Sequence, residues 1–165
     1  MKKVTMYTDG GCSPNPGPGG YGIVLIYGEH RREFSGGYRR TTNNRMELVA
    51  AIRGLQTLKE PCHVTLFSDS QYVVNGISKG WAQRWKSRGW LLSDKRPAEN
   101  IDLWEQLLAL CETHQVRFEW IRGHNGHAEN ECCDRLAGEA SRRQDLPIDA
   151  IYERDGAFVS GSRKS

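Results

Sequence analysis

Four carboxylates sit where chain elements should end or begin. Asp9 follows a strand-like run in Tyr7-Thr8-Asp9-Gly10, and Asp69 follows another in Phe67-Ser68-Asp69-Ser70. Sites in α/β sheets gather at the carboxyl ends of strands, so these two acids converge if their strands are neighbours. Glu47 falls in the first turn of one predicted helix, and Asp134 about one turn into another. Each also has a purely structural use. Asn44-x-x-Glu47 has the form of a capping box, and Asp134 suits the positive end of a helix dipole. In one cleft, four such acids would repel one another unless cations neutralised them. All-oxygen donors select hard ions such as Mg²⁺.

Other chemistry is weaker. Gly17, Gly19 and Gly22 match Gly-x-Gly-x-x-Gly, but they open the apolar run 23–27 rather than a helix. Three prolines crowd the same turn, and no Lys-Ser/Thr follows, so a nucleotide-cofactor loop is rejected. His127, Cys132 and Cys133 with His124 offer zinc-ligand types, yet adjacent cysteines are poor ligand spacing. The other cysteines are Cys12, Cys62 and Cys111. An odd number without an export signal reads as reduced thiols. His124 lies between glycines, and a group titrating near neutrality there suits proton transfer or product release.

Residues 79–96 hold six cations against one acid, Asp94. That +5 leaves −2 for the rest of a chain whose net charge is +3. Trp81, Trp85 and Trp90 interleave with the cations. The pattern suits a nucleic-acid surface, and equally a solvated helix with its tryptophans turned inward.

The elements that must position these groups follow from periodicity. Runs at 4–8, 21–27 and 32–37 read as a meander of strands joined by short loops. A helix is expected over 44–59, a strand over 64–68, then helices over 70–78, 81–88 and 100–112. A last strand alternates Val116, Phe118 and Trp120 with polar neighbours, and a helix spans about 130–143. The expectation is a mixed five-stranded α/β sheet, an antiparallel meander plus parallel strands, flanked by helices. At 165 residues the chain makes one domain and needs no staples. No apolar stretch is long enough for a membrane span, and the N-terminus has no secretory pattern, so a cytoplasmic location is expected. Residues 144–165 read as a partly disordered tail in which Ile148, Ile151, Tyr152, Phe158 and Val159 could dock.

The chain resembles the ribonuclease HI family, in its bacterial form. Five stretches carry the resemblance in family order and spacing. They are Tyr7-Thr8-Asp9-Gly10, 15–22 (NPGPGGYG), 41–48 (TTNNRMEL), Ser68-Asp69-Ser70-Gln71-Tyr72, and 123–134 from Gly123 to Asp134. Residues 1–143 would form the catalytic domain, with 79–97 as its basic protrusion. The resemblance implies endonucleolytic hydrolysis of the RNA strand of RNA–DNA hybrids. It implies Asp9, Glu47, Asp69 and Asp134 as ligands of two Mg²⁺ ions, with Mn²⁺ as a substitute, and His124 as a catalytic partner. It places Cys12, Asn15, Asn43, Asn44, Ser70 and Gln71 along the hybrid, and Arg40, Thr42 and Asn100 around a DNA phosphate. Trp81, Arg84, Trp85, Lys86 and Arg88 would form the basic handle. The partner would be a hybrid, not a membrane, and the enzyme a monomer.

Two readings from other classes stay open: an inactive hybrid-binding module, and a DNA nuclease on the same fold. Intact acids argue against the first. The small polar residues beside Glu47 argue against the second.

Overall fold

The computed structural model describes residues 1–123 and 126–156. Five strands form one sheet in the order β3-β2-β1-β4-β5. Strands β1 (Lys2–Cys12), β2 (Gly17–Tyr27) and β3 (His30–Thr41) are the antiparallel meander. Strands β4 (Cys62–Ser68) and β5 (Gln115–Trp120) run parallel to β1. The helices are α1 (Asn43–Gln56), α2 (Gln71–Ser78), α3 (Trp81–Ser87), α4 (Ile101–Thr113), α5 (Ala128–Ser141) and α6 (Ala150–Asp155). The mixed sheet is as expected, with longer strands. Asp9 does not end β1, which runs on through Gly10 and Gly11 to Cys12. Only 13–16 remain as the turn, because the glycines after Pro16 pair into β2.

Alternation along β2 assigns the two faces. Ile23 points toward α1, where a Cβ on Gly54 would sit 3.5 Å from its Cγ2. Gly22 points the other way, against the backbone of α5. Met6, Ile23, Val64, Leu66, Leu48, Leu55, Trp104 and Leu107 fill the core between the sheet and α1/α4. Burying such side chains contributes roughly 1.5–3 kcal/mol each.

Three local expectations change. The N-cap of α1 is Thr42, whose Oγ1 accepts from the Arg45 N–H at 3.2 Å, not Asn44. Threonine in extended backbone fills that role immediately before a helix that starts at 43. Helix α5 starts at 128, with His127 at its N-cap. Trp120 ends β5 43% exposed, unlike buried Phe118.

The segment after 143 is not a free tail as far as 156. The Arg39 N–H donates to the Pro147 carbonyl at 2.9 Å, Asp149 is buried, and α6 lies against β3. Tyr152 packs under Arg45, while Ile148 stays half-exposed. Phe158, Val159 and the expected disorder of 160–165 lie outside the described residues.

Candidate active site

The site begins with strand neighbours. Thr8 pairs with Ser68 in the parallel β1–β4 ladder, so Asp9, still within β1, and Asp69, just past the end of β4, lie side by side. Two glycines then admit the helices. A Cβ on Gly10 would overlap the Met46 carbonyl, so α1 lies against β1 and carries in Glu47, the next residue. Asp9 pairs with Gly22 across the β1–β2 ladder, and a Cβ there would overlap the Cys133 carbonyl of α5. Asp134 follows Cys133 and so arrives over Asp9. Glycine at these positions permits an approach that any side chain would block.

All four acids line one open cleft of about 410 Å³, together with Gly11, Cys12 and Ser13. One carboxylate oxygen from each of Asp9, Glu47 and Asp69 lies within 4.8 Å of the others. Asp9 is 6% exposed and accepts from the Gly10 N–H at 2.9 Å. Burial, then the charges of Asp69 and Asp134, push its pKa up to about 8, and its carboxyl also hydrogen-bonds Asp134. Glu47 is raised as well, by burial first and then by Asp9 and Asp69. Glu47 Oε1 is buried without a hydrogen-bond partner. Crowded carboxylates, all-oxygen donors and an orphaned acceptor together fit a hard divalent cation.

A polar rim adjoins the acids. Asn43 Oδ1 accepts from the Cys12 N–H at 2.7 Å. Asn15 Oδ1 accepts from the Asn43 N–H at 3.2 Å and from the Cys12 thiol at 3.4 Å. Both side-chain carbonyls are thus engaged inward, which turns the amide NH₂ groups outward as donors. Ser70 caps α2, its Oγ accepting from Val73 N–H. Asn44, Gln71 and Arg40 are exposed.

Asn100 is placed differently. It is 1% exposed, its Oδ1 accepts from Arg45 at 3.3 Å, and its amide donates to the Tyr72 hydroxyl at 3.2 Å. It is not at the surface with Arg40, because its side chain closes a buried network with Arg45 and Tyr72. In the protrusion, Arg84, Lys86 and Arg88 are exposed, while Trp85 packs edge-on against Trp104 at 5.8 Å between ring centres. Lys79 lies over the half-buried Trp81 ring. On α3 the tryptophan turns inward and the cations outward, an arrangement that either reading of the segment allows. His124 lies outside the described residues. The neighbouring thiols of Cys132 and Cys133 have different partners. Cys132 lies among Arg31, Glu33 and Arg135, and Cys133 donates to the Tyr7 carbonyl.

Sequence reasoning passed over Arg45, two residues before Glu47. It is fully buried and bridges Asp149 at 2.7 Å and Asp102 at 2.7 Å. Thr41 Oγ1 also donates to Asp149, at 2.8 Å. The C-terminal segment and α4 thereby clamp the first turn of α1. An arginine in an otherwise apolar helix face was the available signal.

The family model for RNase H matches residues 1–142. The chain belongs to the ribonuclease H family. Among curated relatives of this family, Ribonuclease H of Desulforamulus reducens is 61% identical over 149 residues, covering 90% of this chain and 94% of the relative. Ribonuclease H of Syntrophus aciditrophicus is 62% identical over 152 residues, 92% of this chain and 88% of the relative. Among solved structures, LC9-RNase H1, described as a type 1 RNase H with the type 2 active-site motif, aligns with a TM-score of 0.77 at 30% identity. It covers 93% of this chain and 80% of that one. LC11-RNase H1 in complex with RNA/DNA hybrid aligns with a TM-score of 0.63 at 25% identity, over 83% and 95% of the two chains. This chain is an enzyme of the ribonuclease H family.

Proposed function

We propose that the chain hydrolyses the RNA strand of RNA–DNA hybrids internally, with Asp9, Glu47, Asp69 and Asp134 as ligands of two Mg²⁺ ions that Mn²⁺ can replace. The observation that carries this reading is the meeting of three carboxylates in a buried setting, where burial first and then the charges of Asp69 and Asp134 raise Asp9 to about 8, and Glu47 Oε1 has no partner. Bound Mg²⁺ would lower the pKa of an attacking water and neutralise charge on the phosphate and the leaving oxygen. Asp9, central among the acids, is the ligand we assign to both ions. Asp134, on the exposed side of the cleft, completes the charge needed for two divalent cations. His124 is the group we assign to proton transfer near the reacting phosphate.

Substrate choice falls to the rim. RNA differs from DNA by a 2′-hydroxyl that both accepts and donates. The outward amides of Asn15 and Asn43, with Cys12, Asn44, Ser70 and Gln71, are the groups we assign to reading it. Arg40 and Thr42 would take a DNA-strand phosphate, with buried Asn100 as support rather than contact. Arg84, Lys86 and Arg88 would hold backbone phosphates beyond the cleft. Residues 1–143 remain our reading of the catalytic domain, with 79–97 as its basic protrusion, and the segment that follows contacts it through Pro147 and Asp149. All four acids come from one chain, which supports a monomer as the working unit. Among the described residues, no helix is long and apolar enough to cross a membrane.

The test compares hybrid, duplex RNA, duplex DNA and single-stranded RNA, with and without Mg²⁺. Cleavage of the hybrid's RNA strand alone, dependent on Mg²⁺, with 5′-phosphate and 3′-hydroxyl ends, is the expected outcome. A 2′,3′-cyclic phosphate product would require attack by the 2′-hydroxyl and end this mechanism. Efficient cutting of duplex DNA would favour a DNA nuclease on the same fold.

A further inference from the structure

The acid Asp69 is held through the peptide that follows it. That peptide's carbonyl accepts the indole N–H of Trp120 at 3.1 Å. Its N–H, that of Ser70, donates to Ser68 Oγ at 3.0 Å. Both polar ends of one peptide plane are therefore tied, one to the tip of β5 and one to the end of β4. The tie lies just past the last rung of the sheet. Ser68 pairs with Trp120 in the parallel ladder, and the Ile121 N–H donates to the Ser68 carbonyl at 3.0 Å. Beyond that rung the chain passes under the acid itself: a Cβ on Gly123 would sit 2.6 Å from Asp69 Oδ2.

A large aromatic left 43% exposed at a strand end, when its strand mates turn inward, asks for a reason. Its indole is a donor only, and it is aimed at a backbone oxygen of a ligand residue rather than at water. We propose that Trp120 is a positioning residue for Asp69. With Ser68 it fixes the plane of the Asp69–Ser70 peptide. Rotation of that plane is rotation about the Cα–C bond of Asp69; with Ser70 held as the cap of α2, it would swing the Cα–Cβ bond of Asp69 and shift the carboxylate relative to Asp9 and Glu47. Groups that orient metal ligands in this indirect way typically change metal affinity or activity by about 10–100-fold. This inference rests on the metal-ligand reading of Asp69.

The test uses the full-length enzyme with Trp120→Phe, which keeps an aromatic ring and removes the donor, and with Trp120→His, which restores a ring N–H. Mg²⁺ binding is followed by calorimetry without substrate, alongside kcat and KM on a hybrid and melting without metal. Loss of one neutral hydrogen bond is worth roughly a factor of 2–12. For Trp120→Phe we expect Mg²⁺ affinity to weaken by about 5–10-fold and kcat to fall similarly. KM for hybrid and the metal-free melting temperature should stay near the parent values, with partial recovery in Trp120→His. Ser68→Ala should weaken Mg²⁺ binding too, and the double variant should be less than additive, because both bonds hold one plane. Unchanged Mg²⁺ affinity with a lowered melting temperature would make Trp120 a structural rung and overturn the proposal. A raised KM at unchanged kcat and Mg²⁺ affinity would make the exposed indole a nucleic-acid contact instead, and would overturn it as well. If the parent itself binds no Mg²⁺ in the cleft, the metal-ligand reading fails rather than the role of Trp120 within it.

Discussion

Two clusters of buried charge lie two residues apart on α1 and are treated in opposite ways. Around Arg45 opposite charges meet, one guanidinium between two carboxylates. Burial alone would lower the pKa of the guanidinium, but the hydrogen bonds it donates to Asp102 and Asp149 more than reverse this and keep it ionised. All three guanidinium nitrogens have acceptors, and Thr41 adds a donor to Asp149. Around Glu47 nothing cancels. Three acids meet, one oxygen has no partner, and among the described residues Arg142 is the one arginine or lysine that lines the cleft. A folded chain that can build the first cluster could have neutralised the second. Leaving it unsatisfied preserves a place for an exogenous cation, and the paired cluster next door holds the helix rigid while the acids repel.

The largest expected effect breaks the acidic side of the comparison. Asp9→Asn keeps the shape and removes one charge. Losing several kcal/mol of metal-derived stabilisation lowers turnover by about 10³-fold or more. Hybrid binding should persist, and the metal-free melting temperature should rise, at about 2–4 °C per kcal/mol for a chain of this size. Full Mg²⁺-dependent turnover by the purified variant would remove Asp9 from the site.

Breaking the paired side should do the reverse. Asp149→Ala removes two of the five hydrogen bonds of buried Arg45, and removing one partner of a buried pair costs roughly 3–5 kcal/mol. The melting temperature should drop by roughly 6–20 °C. Turnover well below that temperature should fall far less than in Asp9→Asn. A variant that melts like the parent would show that the C-terminal segment does not brace α1.

The exposed cations sharpen the contrast between buried and solvated charge. Replacing Arg84, Lys86 and Arg88 by Ala should weaken hybrid binding most at low salt. Each lost phosphate contact should flatten log affinity against log salt by about 0.7–0.9, with little change in rate at saturating hybrid. An unchanged slope would make this face of α3 a solvated surface only.

The smallest effect is a pH dependence of stability. Asp9 binds its proton more tightly folded than unfolded, because burial and its acidic neighbours raise the pKa from 3.8 to about 8. Its contribution is therefore fully present below about pH 4 and is lost as pH rises towards 8. Denaturation with chelator across that window should show stability declining from this term. Saturating Mg²⁺ should oppose the decline, and Asp9→Asn should flatten it. A metal-free protein that gains stability at Asp9 between those limits would contradict the crowding.

Much of this molecule was legible in the residues alone. The period of two in 4–8, the continuous apolar run at 21–27 and the helical spacing of Leu48, Ile52 and Leu55 are local signals, since each element must bury apolar surface. Taken singly, each of the four acids has a structural use, and it was the order and spacing of the family stretches that joined them into one site. Other features depended on partners distant in sequence. Thr42 and Asn44 are both good caps, and only the path of the chain from β3 chose Thr42. Gly22 read as part of a turn until α5 lay across it. Asp149 looked like a tail residue because Arg45, its partner, is 104 positions away. Trp120 followed an inward alternation, yet its indole answers to the carbonyl of Asp69, 51 positions earlier. Periodicity reports which face of an element is buried. Which particular atom a side chain meets is decided by the packing of elements, and that exists only in the folded chain.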